Sequence, residues 1–253
     1  MVKDSLGDRM KAYEDIFNSK LLKRMPVILR LDMCHGHTFT KGFEKPFDSI
    51  FMETMQMTMK SLCENVGNCV FGYTQSDEIT LVLVDYKTYD TSAWFDNRVE
   101  KFCSVSASMA ARFFNKFFID IVGSKMSENK GDIDYSLYCK RFFTADFDCR
   151  AFNVPKEDVS NCILWRQKDA ERNSIQMLAQ SLYRHKELQG INVKDLQNKM
   201  FEEKGVNWND LPVYKRRGTA CIKVEEQGWI LDLEMPIITQ DRDYIDKFIY
   251  VGE

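Results

Sequence analysis

The 253-residue sequence predicts an α+β fold: a ferredoxin-like βαββαβ unit of the polymerase-palm kind, with a mostly helical C-terminal extension. Three observations predict it. The branched apolar run from Pro26 to Asp32 reads as a buried strand, followed by a segment of helical periodicity. Two more apolar runs flank Ser76 and Asp77 and read as a hairpin. A second helical segment and a fourth strand complete the order strand, helix, strand, strand, helix, strand. The palm-like unit is placed at 1–154 and the extension at 155–253.

The elements follow in chain order. The polar N-terminus reads as an amphipathic helix with Tyr13, Ile16 and Phe17 turned inward. After the first strand, Gly36, Gly42 and Pro46 mark a loop. Asp48 caps a helix to about Val66, in which Met52, Met55, Met59 and Leu62 recur three and four apart on one face. Gly67 and Asn68 break it. Cys69 to Gln75 and Glu78 to Asp85 are the hairpin strands; the second is apolar on both faces, which predicts a central position. Trp94 to about Phe118 is the second helix. Gly123 to Asp134 reads as a polar loop, and Phe142 to Val154 as the fourth strand region. Pro155, Glu157 and Asp158 suit a helix N-terminus. A shorter helix follows Asn192, and strand-like pieces return at Thr219 to Val224 and Trp229 to Leu233.

Composition narrows the function classes. The net charge of −3 argues against a general nucleic-acid binder and leaves room for local basic patches, such as Lys215-Arg216-Arg217. No apolar run is long enough for a membrane span, and the charged N-terminus is no signal peptide. The eight cysteines show no zinc spacing, so free thiols in a reducing cytoplasm are expected.

The topology has a chemical consequence. In βαββαβ the C-terminal end of the first strand lies at the same sheet edge as the turn between the second and third. Asp32 and Asp77, 45 positions apart, therefore meet at one edge, with Glu78 beside them. Two readings fit: the acids cap strand ends, or they share divalent cations. Oxygen donors of this kind suit Mg²⁺, and two such ions suit phosphoryl transfer. Arg98 and Lys101, on one helix face, and Lys45, in the loop after the first strand, are candidate phosphate ligands. His35 and His37 form an HxH pair without a third ligand nearby, which favours hydrogen bonding or substrate contact over metal binding.

Six short segments then resemble a known family in order and spacing: RLD ending at Asp32 with HTFTKGFEKPFD ending at Asp48, GYTQSDE ending at Glu78, WFDNRVEK ending at Lys101, FDCR ending at Arg150, WRQKDAERNS ending at Ser174, and YKRRGT ending at Thr219. The chain is similar to tRNA(His) guanylyltransferase and its bacterial, archaeal and phage relatives over about residues 3–224. The resemblance implies an enzyme that adds nucleotides in the 3′-to-5′ direction to the 5′ end of a tRNA. The 5′-monophosphate is first activated with ATP; the 3′-hydroxyl of GTP or another NTP then attacks the adenylylated end. It implies that Asp32, Asp77 and the Met33 carbonyl hold two Mg²⁺ ions with Glu78 in support. His37, Lys45, Asp48, Ser76, Arg98 and Lys101 would contact nucleotide, and Arg150, Asn173, Lys215, Arg216 and Arg217 the RNA. It further implies a cytoplasmic homotetramer.

Two departures stand out. Met33 and Cys34 occupy positions where the family usually carries glycine and a basic residue; a position that needs positive φ would be strained by Met33. Glu171 to Met177 (ERNSIQM) replaces the family's tRNA(His)-recognition segment, which points to template-dependent 5′-end repair. The alternatives are a G-specific tRNA(His) guanylyltransferase, a catalytically impaired tRNA-binding relative, a nucleotidyl cyclase, and a generic ferredoxin-like binding module.

Overall fold

The computed structural model describes residues 5–16, 18–128 and 134–252. The elements are α1 (Leu6–Asp15), β1 (Val27–Met33), α2 (Gly36–Phe39), α3 (Ser49–Asn65), β2 (Cys69–Gln75), β3 (Glu78–Leu83), α4 (Val99–Glu128), α5 (Ser136–Cys139), β4 (Phe147–Asn153), α6 (Lys156–Leu182), α7 (His185–Leu188), α8 (Val193–Lys204), α9 (Val213–Arg217), β5 (Thr219–Val224), β6 (Gly228–Asp232) and α10 (Asp243–Ile249).

The strands form one antiparallel sheet in the order β4-β1-β3-β2-β5-β6. The first four stand in the ferredoxin-like order, and the β5–β6 hairpin of the extension lengthens the same sheet through Phe71↔Ile222 and Thr74↔Thr219. β3 lies between β1 and β2 and every residue in it is buried, as its two apolar faces predict. On one face Leu29, Leu31, Ile79 and Leu81 pack under α3 and α4; on the other Ile28, Phe71, Tyr73 and Val82 join Val159 and Ile163 of α6 and Ile245 of α10. A satellite cluster under α8 gathers Ile175, Leu178, Met200 and Trp208. No helix among the described residues is long and apolar enough to cross a membrane. The cysteines are free thiols.

Four expectations change. α1 forms, yet it buries no residue: Tyr13 and Ile16 are exposed, and Phe17 lies outside the described residues. α4 begins at Val99, because Phe95, Asp96 and Asn97 hold left-handed backbones and the buried Asn97 side chain donates to the Leu22 carbonyl and to Asp85. It then runs through Gly123 to Glu128, where a loop is expected. Its buried stripe Phe102, Ser106, Ala110, Phe114, Phe118 and Val122 reaches the glycine, and the last turn beyond it, to Glu128, is solvent-facing. β4 starts at Phe147 instead of Phe142, since residues 136–144 form α5 and two tight turns.

Candidate active site

The register of β1 builds the site. Asp32 pairs with Glu78 on one side and with Asp148 on the other, and directly opposed residues share a face. The Met33 N–H donates to the Asp77 carbonyl at 3.0 Å, which fixes the β2–β3 turn against the end of β1. Asp77 in turn lies over Gly36, where an added Cβ would stand 1.9 Å from the Asp77 Oδ2. Glycine is therefore required at the start of α2 for the carboxylate to lie where it does.

These acids strain against one another. Burial pushes the Asp32 carboxyl above its ordinary range, the neighbouring Asp77 and Asp148 push it further, and Arg30 and Arg150 partly offset them. A cation would relieve this crowding. Among the described residues no three His, Cys, Asp or Glu side chains converge to hold a metal unaided. A pair of carboxylates is nonetheless what Mg²⁺ takes when substrate phosphates and water complete its shell, so the donor set fits Mg²⁺ held together with a nucleotide.

Glu78 has a different situation. It is 8% exposed, and its Oε1 accepts from the Arg166 Nε at 2.6 Å, with the Arg30 Nε 4.0 Å from Oε2. Burial raises its pKa while Arg166 and Arg30 pull it back. Its charge is committed to holding α6 on the sheet, so it supports the edge and is not a free ligand. Arg166 also donates to Asp169 at 2.9 Å, and its guanidinium stacks on Trp165.

Beside the carboxylates lies an apolar cavity of about 170 Å³. Phe47, Met52, Met55 and Met177 supply its walls, and Lys45, Gln56, Ser76, Asn173 and Lys215 its polar points. Ser76 adjoins Asp77, so cavity and carboxylates share one turn; its left-handed backbone (φ 51) is what the first position of a tight hairpin turn needs. Gly218 closes the floor at φ 86, where a Cβ would lie 2.6 Å from the Thr74 carbonyl.

The remaining expected residues divide. Lys45, Ser76, Asn173 and Lys215 line this cavity, and His37 is exposed on α2. Asp48 also reaches the cavity, but its carboxylate is spent on structure: it caps α3 through the Phe51 N–H and accepts from the Glu44 N–H and the Tyr138 hydroxyl. Arg150 is exposed on β4 opposite Arg30. Arg216 stacks on Trp208, and Arg217 pairs with Glu171 at 3.1 Å, so of the basic triplet only Lys215 faces the cavity.

Arg98 and Lys101 are not brought to this edge. Arg98 bridges to Lys20, and the Asn97 carbonyl accepts from Leu21, both just ahead of β1. In the register that end, Val27↔Leu83, lies five residues from Asp32↔Glu78, roughly 17 Å along the strand. The hairpin turn is at the carboxylate edge, but β3 carries the chain away before α4 begins. Met33 also differs from expectation. It is an extended strand residue outside the left-handed region, and its side chain is buried in the core on the face opposite Asp32.

Asp148 and Arg166 are the site residues that sequence reasoning missed. Asp148 had a usable signal, standing two before Arg150 in FDCR, hence on one face with it in a strand. Arg166 stands in the WRQKDAERNS segment, but no local pattern ties it to Glu78, because only the crossing of α6 brings the two together.

A ferredoxin-ordered sheet with carboxylates gathered where β1 meets the β2–β3 turn, next to an apolar cavity, defines a palm-like protein. Comparison with known proteins makes this specific. Residues 7–155 match the family model described as "Thg1: tRNAHis guanylyltransferase". The chain is 29% identical over 236 residues to the uncharacterized protein R259 of Acanthamoeba polyphaga mimivirus, covering 88% of this chain and 78% of that one. It is 26% identical to tRNA(His) guanylyltransferase 2 of Arabidopsis thaliana over 89% of this chain, and spans 40% of that longer protein. Among solved structures, a bacterial tRNA(His) guanylyltransferase (Thg1)-like protein in complex with ATP superposes with a TM-score of 0.85 at 44% identity, over 98% of this chain and 100% of that one. One in complex with GTP gives 0.81 at 40%, with the same coverage. The chain belongs to the tRNA(His) guanylyltransferase (Thg1) family.

The geometry makes a local prediction. Gly36→Ala drives the Asp77 carboxylate aside while leaving the sheet intact. Nucleotide addition should fall on the order of a hundredfold, and circular dichroism should be unchanged.

Proposed function

We propose that the protein is a nucleotidyltransferase that extends the 5′ end of tRNA in the 3′-to-5′ direction, choosing each nucleotide by pairing with the opposing strand. The observation that carries this reading is the meeting of Asp32 and Asp77 at one edge, beside a cavity of nucleobase character. Membership of the family supports it, as do the ATP and GTP complexes of the Thg1-like structures. The substitution of Glu171 to Met177 favours 5′-end repair over dedicated guanylylation of tRNA(His).

In this reading Asp32, Asp77 and the Met33 carbonyl would hold two Mg²⁺ ions, which when bound supply charge neutralisation for phosphoryl transfer. The cavity takes the base between Phe47 and the methionines, with Gln56 and Asn173 offering hydrogen bonds. Lys45, Ser76 and Lys215 lie at its walls to meet phosphate. Arg166 and Arg30 keep the Glu78 charge neutralised, so that it adds no repulsion to the phosphates. A 5′-monophosphate end takes the adenylyl group of ATP with release of pyrophosphate, the 3′-hydroxyl of the incoming NTP then attacks the 5′-phosphorus and expels AMP, and positioning supplies most of the rate. The extended backbone of Met33 removes the strain that motivated an impaired relative.

The test is extension of a tRNA lacking its first 5′ nucleotide, with ATP, Mg²⁺ and each NTP in turn, across substrates that differ in the opposing base. The reading expects the added nucleotide to follow that base. Addition of G whatever stands opposite would assign a guanylyltransferase instead.

A further inference from the structure

The turn into β4 carries an aromatic residue that neither the carboxylates nor the cavity uses. Its backbone is pinned on both sides of Phe143. Arg141 N–H donates to the Tyr138 carbonyl at 2.9 Å, and Thr144 donates through N–H and hydroxyl to the Arg141 carbonyl at 3.2 and 2.9 Å. Asn115 of α4 holds both backbone groups of Ala145. Phe142 is the inward anchor, its ring edge-on to Phe118 at 6.1 Å. Phe143 is the outward one. It is 80% exposed, the highest value among the large apolar side chains described, and its φ is 61°.

A bulky side chain at positive φ is an outlier that costs on the order of 1 kcal/mol or more, and here no burial compensates for it. Its sequence neighbours Lys140 and Thr144 are exposed. The Arg141 Nε is enclosed and has no hydrogen-bond partner. Three residues beyond Phe143, the Asp146 carbonyl accepts the Cys34 N–H at 2.8 Å. At most about 11 Å of chain therefore separates the Phe143 backbone from Asp146, which is bonded to the residue two beyond Asp32.

We propose that this turn is a stacking site for an unpaired base next to the 5′ end of the RNA substrate. Phe143 presents its ring face, and Lys140 and Arg141 meet the adjoining phosphate. The inference rests on the RNA-end reading above. Stacking accepts any base and suits a single strand, whose bases are splayed and open to aromatic faces. An exposed ring that closely follows two cations, Lys140 and Arg141, favours this ligand over an apolar protein surface. Stacking also adds affinity that a chain of net charge −3 cannot draw from general phosphate attraction.

The test uses the full chain and a 5′-truncated tRNA with 2-aminopurine at the unpaired position beside the end. Wild type should quench its fluorescence. Phe143→Gly, which suits the left-handed backbone, should abolish the quench and weaken RNA binding roughly tenfold to a hundredfold, with ATP affinity and mass by light scattering unchanged. Phe143→Trp should retain both quench and affinity. Equal RNA affinity and quenching in Phe143→Gly, while wild type still extends the RNA, would overturn the stacking site and leave the proposed function standing. A fall in mass in Phe143→Gly would also overturn it, in favour of a contact between copies. A wild-type chain that binds no RNA would remove the proposed function itself.

Discussion

On the proposed function, Asp77→Ala is expected to cut nucleotide addition by roughly a thousandfold or more and to leave the fold and its melting temperature intact. The structural duty of this residue belongs to its backbone, whose carbonyl accepts the Met33 N–H. Its side chain, over Gly36, adds only charge to an edge where Asp32 is already held above the ordinary carboxylate range by burial and by its acidic neighbours. Removing the charge relieves that repulsion, so stability should hold or rise. Asp77→Asn should behave alike, because it preserves shape and loses the anion. Thermal unfolding beside a single-turnover assay separates the two effects. A variant that unfolds together with its activity would return Asp77 to the role of a strand cap.

Arg166→Met has the largest expected effect on stability. It leaves the Glu78 carboxylate without its 2.6 Å partner, against a background of burial that already disfavours the charge. Breaking a buried pair by removing one member costs about 3–5 kcal/mol, which at this chain length lowers the melting temperature by roughly 10 °C. The pH dependence has a definite sign. Glu78 has a raised pKa in the folded state, and losing Arg166 raises it further. Stability is then fully present below the unfolded pKa and is lost as pH rises through the folded one. The variant should be closest to wild type in acid and weakest at neutral pH. Adding Glu78→Gln should recover most of the loss, since the uncompensated charge disappears. Denaturant titrations of both variants at acid and neutral pH measure this. A single variant with pH-independent stability would show that Arg166 acts through packing on Trp165 alone.

The sheet was legible because its strands advertise burial. The two apolar faces of β3 predict the central position it occupies, and the βαββαβ order alone predicts that Asp32 and Asp77 meet. Helix ends were harder. The start of α4 depends on a tertiary tie between Asn97 and Asp85, which does not act locally. Arg98 and Lys101 show the same limit: they follow the hairpin in sequence, yet β3 carries the chain to the opposite edge before the helix starts. Asp48 was legible as a cap, and that is the duty its carboxylate performs. The cavity drew on four separated segments, so its lining had no signature in any one of them. Met33 departs from the family pattern in sequence, but the strand gives it an extended backbone, and the departure carries no strain.

The most direct measurement is a titration with Mn²⁺ in place of Mg²⁺, read by electron paramagnetic resonance, with a non-hydrolysable ATP analogue present. The account predicts nucleotide-dependent ions on the wild-type chain that are lost in Asp77→Ala. Ions bound equally by both, or bound without regard to nucleotide, would contradict a catalytic edge built on Asp32 and Asp77.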